Sequence, residues 1–108
     1  RALDVVQPDV CRSGGLSDCK KIADLADVYG VAIAPHVSIG SAIQFAATAH
    51  FAAAIPNLLV SEYWIGENPL GNPILREPLP LEGGHLMVPL GPGLGIEVNE
   101  AALLAYAS

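Results

Sequence analysis

Three short apolar runs, residues 3–6, 31–34 and 58–60, divide the first 62 residues into strand, helix, strand, helix, strand. Strands joined by helical segments rather than tight turns imply a parallel sheet with right-handed crossovers. The first run is broken by Gln7 and Pro8 and followed by a polar, glycine-bearing loop over residues 9–15. In DCKKIADLADVY, residues 18–29, the side chains of Ile22, Leu25, Ala26 and Tyr29 fall at helical spacing. Ser17 is placed to cap that helix, and Gly30 supplies the usual residue just past a helix end. The run VAIA, residues 31–34, lacks the alternation of a half-exposed strand, so both of its faces should be covered, as in parallel sheets packed under helices. Residues 41–55, SAIQFAATAHFAAAI, are alanine-rich, apolar almost all round and halted by Pro56. Such a helix has to be buried against something large.

One ionisable residue stands just past the end of each apolar run: Asp9, His36 and Glu62. The first two are 27 positions apart and the last two 26. That interval is one strand-plus-helix unit. In a barrel of parallel strands, successive strand ends converge on the face where active sites of that architecture are built. An acid, an imidazole and a second acid would then meet around one cavity, and the imidazole is the side chain suited to proton transfer near neutral pH. Each residue also has a plainer reading: Asp9 as an Asx-turn or capping residue, His36 as a satisfied polar terminus, Glu62 as a solvated strand end. The matched repeat favours the joint reading over three separate coincidences.

The rest of the chain supplies no competing constellation. His50 inside the alanine-rich helix and His85 in the turn EGGH lack a matched acidic partner and are read as structural. The run GPGLG, residues 91–95, is interrupted by proline and has no strand-to-helix context, so it is a poor phosphate loop. Cys11 and Cys19, eight positions apart with no second pair, fit neither a zinc knuckle nor a disulfide framework and read as packing thiols. A net charge of −6 with only five basic residues disfavours nucleic acid and anionic lipid as partners. No apolar run approaches the about 20 residues that span a bilayer, and no signal segment is visible, so a cytoplasmic protein is expected. Beyond Trp64 the composition changes, since six of nine prolines and seven of eleven glycines lie there. Turns and short strands are expected, with a hairpin from residues 79–81 and 86–88 around EGG and a short final helix, EAALLAYA, capped by Asn99. The chain is therefore divided into residues 1–62 and a wrapping tail, residues 63–108. It starts at Arg1 with Met87 as its only methionine, which suggests a piece of a longer protein.

The stretches VVQPDVCRSGGLSDCKKIADLADVYGVAIAPH, IPNLLVSE and PGLGIEVNE resemble the C-terminal part of the mandelate racemase and muconate lactonizing enzyme branch of the enolase superfamily. The combination QPD, GG and APH is most similar to sugar-acid dehydratases such as those acting on galactonate or gluconate. The resemblance covers nearly the whole chain. It implies an α/β fold, the C-terminal portion of a (β/α) TIM-type barrel comprising strands six to eight with their helices, plus a loop-rich tail with a hairpin and short helix.

By the same resemblance His36 matches the family's catalytic histidine after the seventh strand. Asp9 matches the aspartate that hydrogen-bonds it, and Glu62 the glutamate facing the substrate carboxylate after the eighth strand. Removal of a proton alpha to a carboxylate needs a base and stabilisation of the enediolate. An aspartate beside the imidazole fixes its tautomer and aim. A protonated Glu62 would donate a hydrogen bond to the oxygen on which charge accumulates, and the imidazolium would return its proton to a departing beta-hydroxyl. The family's magnesium ion is held by carboxylates on earlier strands, so no metal ligand is expected in this chain, and the 108 residues alone should be inactive. The resemblance also implies a homo-oligomer as the full-length protein. Three functions are consistent with it: a Mg-dependent dehydratase of a sugar acid, a racemase or epimerase of a 2-hydroxy acid, and a non-catalytic barrel remnant.

Overall fold

The computed structural model describes residues 2–107 as a mixed α/β unit with two small sheets. Strand β1 (Val5–Val6) leads into helix α1 (Gly15–Val28), then strand β2 (Ala32–Ile33) and helix α2 (Ala42–Ala53). β1 and β2 pair in parallel, Val5 opposite Ala32 and Val6 opposite Ile33, an offset of 27 positions. Hydrogen bonds extend this ladder beyond the formal strands. The N–H groups of Ala32, Ala34 and His36 donate in turn to the carbonyls of Asp4, Val6 and Pro8. The third apolar run adds only a parallel bridge, Leu58 opposite Ile33, rather than a full strand.

Helix α1 begins three residues earlier than its sequence signals suggest. Gly14 is its N-cap and makes no side-chain capping bond, so Ser17 lies inside the first turn instead of capping it. The C-terminus closes as a Schellman motif: Val31 N–H bonds the Ala26 carbonyl, Gly30 N–H bonds that of Asp27, and Gly30 adopts φ 63°. The buried face is Cys19, Ala23 and Ala26, so of the expected stripe Ile22, Leu25, Ala26 and Tyr29 only Ala26 is fully buried. Leu25 and Tyr29 are exposed, and with Leu3, Val6 and Ile22 they line an apolar groove of about 420 Å³ beside β1. Asn57 joins the layers by donating to the carbonyls of both Ala23 and Val31, each at 3.0 Å.

Helix α2 explains its own composition. One side, through Phe51 and Ala47, joins Val10, Cys19, Ala23, Val31 and Ile33 in a first core. The other, through Ala42, Phe45 and Ala46, joins Val37, Ile74, Leu75 and Leu79 in a second. A helix packed on two sides has no solvent face to keep polar, and alanine lets both layers approach closely. Ser41 caps it, its Oγ accepting from Gln44 N–H, and Ala54 ends it two residues before Pro56.

The tail is held by a 3₁₀ turn (Asn72–Ile74) whose Ile74 is fully buried. Leu75 bridges antiparallel to Val98, and Asn99 N–H bonds the Ile74 carbonyl. Strands β3 (Leu81–Glu82) and β4 (His85–Leu86) form a hairpin through Gly83 and Gly84, both at positive φ, the geometry a two-residue turn demands. Helix α3 (Glu100–Leu104) is capped by Asn99, whose Oδ1 accepts from Ala102 N–H. Residues 91–95 are turns, separated from α3 by the bridge residue Val98 rather than leading directly into a helix. Among the described residues no helix is long and apolar enough to cross a membrane.

Candidate active site

The β1–β2 register sets the first half of the site. Its offset of 27 positions is also the separation of Asp9 from His36, so the ladder delivers these two residues opposite each other just past the strand ends. Their side chains meet, with His36 Nδ1 2.9 Å from Asp9 Oδ2. The other Asp9 oxygen, Oδ1, accepts from Cys11 N–H at 2.7 Å and from the Gln44 side-chain amide at 3.0 Å. Arg12 Nε stands 3.9 Å from Oδ2, but its side chain is largely in water and contributes little.

Asp9 is buried, its side chain only 6% exposed. Burial pushes its carboxyl up, but the His36 hydrogen bond, the Cys11 N–H, the charge of His36 and the Gln44 amide together outweigh this and hold it below its ordinary value. An ionised carboxylate only accepts hydrogen bonds. His36 Nδ1 must therefore carry the proton in this pair, which leaves Nε2 of the neutral ring as a free lone pair. The imidazole is 38% exposed, so that lone pair is accessible.

Glu62 reaches the same place by a different route. Leu59 N–H bonds the Ile33 carbonyl, 26 positions away, while Glu62 N–H bonds that of Pro35, 27 positions away. This slip of one residue matters because side chains alternate between faces of an extended strand. In the Ile33–Leu58 register, Ser61 would stand opposite His36; the slip turns Glu62 to that side instead. Its Oε2 lies 3.9 Å from His36 Nε2 and accepts from the consecutive N–H groups of Val37 (2.7 Å) and Ser38 (3.0 Å). Ser38 adopts φ 47°, a left-handed conformation that is costly for a residue with a side chain.

Those two backbone donors, Ser38 first and Val37 second, hold the Glu62 carboxyl below its ordinary value against a smaller effect of burial. The expected protonated, hydrogen-bond-donating Glu62 is thus not what the geometry favours: its carboxylate is an acceptor fixed by the backbone. The expectation that both thiols pack inside holds for Cys19 alone, because Cys11 is exposed on the loop after Asp9. His50 donates to or accepts from nothing catalytic, its Nε2 lying 3.1 Å from the Leu94 carbonyl, and His85 Nδ1 is 3.1 Å from that of Gly83. Among the described residues no cluster of three or more His, Cys, Asp or Glu side chains could hold a metal ion. The residue that sequence reasoning passed over is Gln44. The signal was present, since it is the one amide in an alanine-rich helix, but its partner lies 35 positions away.

Comparison with known proteins identifies relatives of the chain. The family profile described as enolase C-terminal domain-like matches residues 1–102. D-galactarolactone cycloisomerase of Agrobacterium fabrum is 42% identical over 113 residues, covering 97% of this chain and 30% of the relative. D-xylonate dehydratase of Haloferax volcanii is 38% identical over 106 residues, covering 98% of this chain and 26% of the relative. Among solved structures, the 3,6-anhydro-D-galactonate cycloisomerase of Zobellia galactanivorans superposes with a TM-score of 0.84 at 40% identity, over 95% of this chain and 29% of that one. The chain spans under a third of the length of these relatives. A parallel ladder carrying Asp9 and His36, matched over nearly its whole length by sequence and by shape, makes this chain a member of the enolase C-terminal domain-like family, whose fold is of the TIM-barrel α/β type.

Proposed function

We propose that this chain is the C-terminal catalytic portion, barrel strands six to eight and the tail, of an enzyme that abstracts the proton alpha to the carboxylate of a sugar acid and eliminates water from it. The observation that carries the reading is the His36 imidazole, with Nδ1 tied to a buried, ionised Asp9 and Nε2 free toward solvent. In the forward step the alpha C–H bond breaks, its proton passes to Nε2, and the electron pair delocalises into the carboxylate. The imidazolium then delivers that proton to the beta-hydroxyl as the C–O bond breaks, so water leaves and an enol remains, which tautomerises to a 2-keto acid. Asp9 stabilises the imidazolium formed between the two transfers. Glu62, held as a carboxylate acceptor, is suited to bind a substrate hydroxyl rather than to donate to the enediolate. A magnesium ion, when bound, would supply positive charge for the enediolate. Among the described residues none form a shell for it, and its carboxylates would lie in the remainder of the protein.

A second reading has a specific observation in its favour: two of the relatives above are cycloisomerases of galactose-derived acids or lactones. It keeps the same base and differs in the fate of the carbanion. The test is to express the complete polypeptide with magnesium and incubate it in heavy water with aldonic and aldaric acids and their lactones. The alpha-proton signal and products are followed by NMR. A 2-keto product lost in His36→Asn supports the dehydratase; a ring-opened or rearranged product points to the cycloisomerase. Epimerised acid alone points to a racemase, and an absence of exchange in folded, metal-loaded protein counts against catalysis altogether.

A further inference from the structure

We propose that Gln44 is a positioning residue that sorts the two oxygens of Asp9, fixing Oδ1 so that Oδ2 alone serves His36. A carboxylate rotates about its own axis with two equivalent oxygens, and an imidazole aimed by one of them keeps its orientation only if the other is held. Two donors hold Oδ1 here. The Cys11 N–H is a local contact, two residues along, and follows Asp9 wherever its loop moves. Gln44 comes from the first turn of α2, a different element, and therefore fixes Asp9 relative to the body of the fold.

Several features serve this one side chain. Gln44 is 8% exposed, so its amide is largely withdrawn from water and an unmade bond would be costly. Because ionised Asp9 is an acceptor only, the amide must present its NH2 to Oδ1, which turns Oε1 toward Gly40. A Cβ at Gly40 would sit 2.1 Å from that Oε1 and 2.9 Å from the Val37 carbonyl. Glycine at this position leaves the space the amide occupies. The backbone N–H of Gln44 is also bonded, to Ser41 Oγ, so the helix start that carries the amide is capped. The charged groups facing the imidazole are Asp9, Glu62 at 3.9 Å from Nε2, and Arg12 behind Asp9; Gln44 acts on it only through Asp9.

The effect on turnover rests on the function proposed above, whereas the effect on the imidazole does not. Gln44→Met keeps the length of the side chain and removes its donor. The complete protein, labelled with 15N-histidine, is examined by NMR, the His36 ring signals being assigned by their loss in His36→Asn. In the parent protein the neutral His36 ring is the single tautomer protonated at Nδ1; in Gln44→Met it becomes a mixture of both tautomers. With a substrate in hand, kcat falls about 10–100-fold, the range for a lost outer-shell partner, while KM stays unchanged. A pure Nδ1–H tautomer in folded Gln44→Met overturns the proposal. If that variant does not fold, Gly40→Ala decides: it leaves Gln44 in the sequence but displaces its amide, and an unchanged tautomer there overturns the proposal equally. A parent protein that is inactive on every acid tested would sink the functional reading and still leave the tautomer to settle the role of Gln44.

Discussion

The segment ending at Glu62 and the tail that follows it share a core yet are organised by opposite means. Up to Glu62 the chain is held by backbone bonds between residues 24 to 28 positions apart, and every buried polar residue among those described, Asp9, Gln44 and Thr48, lies there. The tail is held by local turns, by a short antiparallel closure of residues 74–76 on residues 97–99, and by a few apolar anchors, Ile74, Leu75 and Leu79, pressed against Phe45 and Val37. A parallel ladder repeats a long offset faithfully, so it can bring distant polar groups together within hydrogen-bonding distance. Turns fix only near neighbours, which suits a cover. The proposed chemistry thus falls in one region, and packing is shared by both.

The largest break in this contrast is expected from His36→Asn in the complete protein. General acid–base catalysis contributes about 10²–10⁴-fold, so alpha-proton exchange should fall by that factor while the urea midpoint hardly moves. The converse variant lies in the tail. Ile74→Ala empties a fully buried site and should cost about 2–5 kcal/mol in urea unfolding, with the remaining folded enzyme keeping its rate of chemistry. Comparable loss of exchange per folded molecule in Ile74→Ala would show that the tail does more than cover.

Acid sharpens the comparison further. The folded-state pKa of Asp9 lies below its ordinary 3.8, so the unfolded chain binds its proton more readily. The stabilisation from this group is therefore complete above that ordinary value and is lost as pH falls through the lower folded value. The stability difference between parent and Asp9→Asn should shrink as pH is taken from 6 to below 3; a difference independent of pH would deny the coupling. Gly30→Ala tests the ladder's approach, because its left-handed φ penalises a side chain by about 1–2 kcal/mol. The smallest effect is that of Ser38→Gly. It relieves strain at φ 47° but loosens the unfolded chain, and the net change in stability should stay within about 1 kcal/mol.

Much of this was legible in the sequence because it is local or periodic. Gly30 ends α1, Asn99 caps α3, and EGGH makes the hairpin turn. The interval between Asp9 and His36 equals the strand register because one strand-plus-helix unit separates them. The errors are also physical. Ser17 was misassigned as a cap because it precedes an acidic and basic run, whereas the glycines at 14 and 15 allow the helix to start earlier. The stripe Ile22, Leu25, Ala26, Tyr29 has helical period, but so does Cys19, Ala23, Ala26, and periodicity alone does not say which of the two overlapping stripes faces the core.

What the sequence determined by itself, then, is the order of the main elements, the glycine end of α1, the Asn99 cap of α3 and the pairing of Asp9 with His36, since short-range geometry and a constant repeat dictate them. Tertiary structure decided three other things. It set the one-residue slip that turns Glu62 toward the imidazole, the backbone donors that keep Glu62 a carboxylate, and the phase of α2 that lays Gln44 on Asp9. Each depends on how one element is rotated or shifted against another, and packing across the two cores fixes that rotation, not the pattern within any one segment.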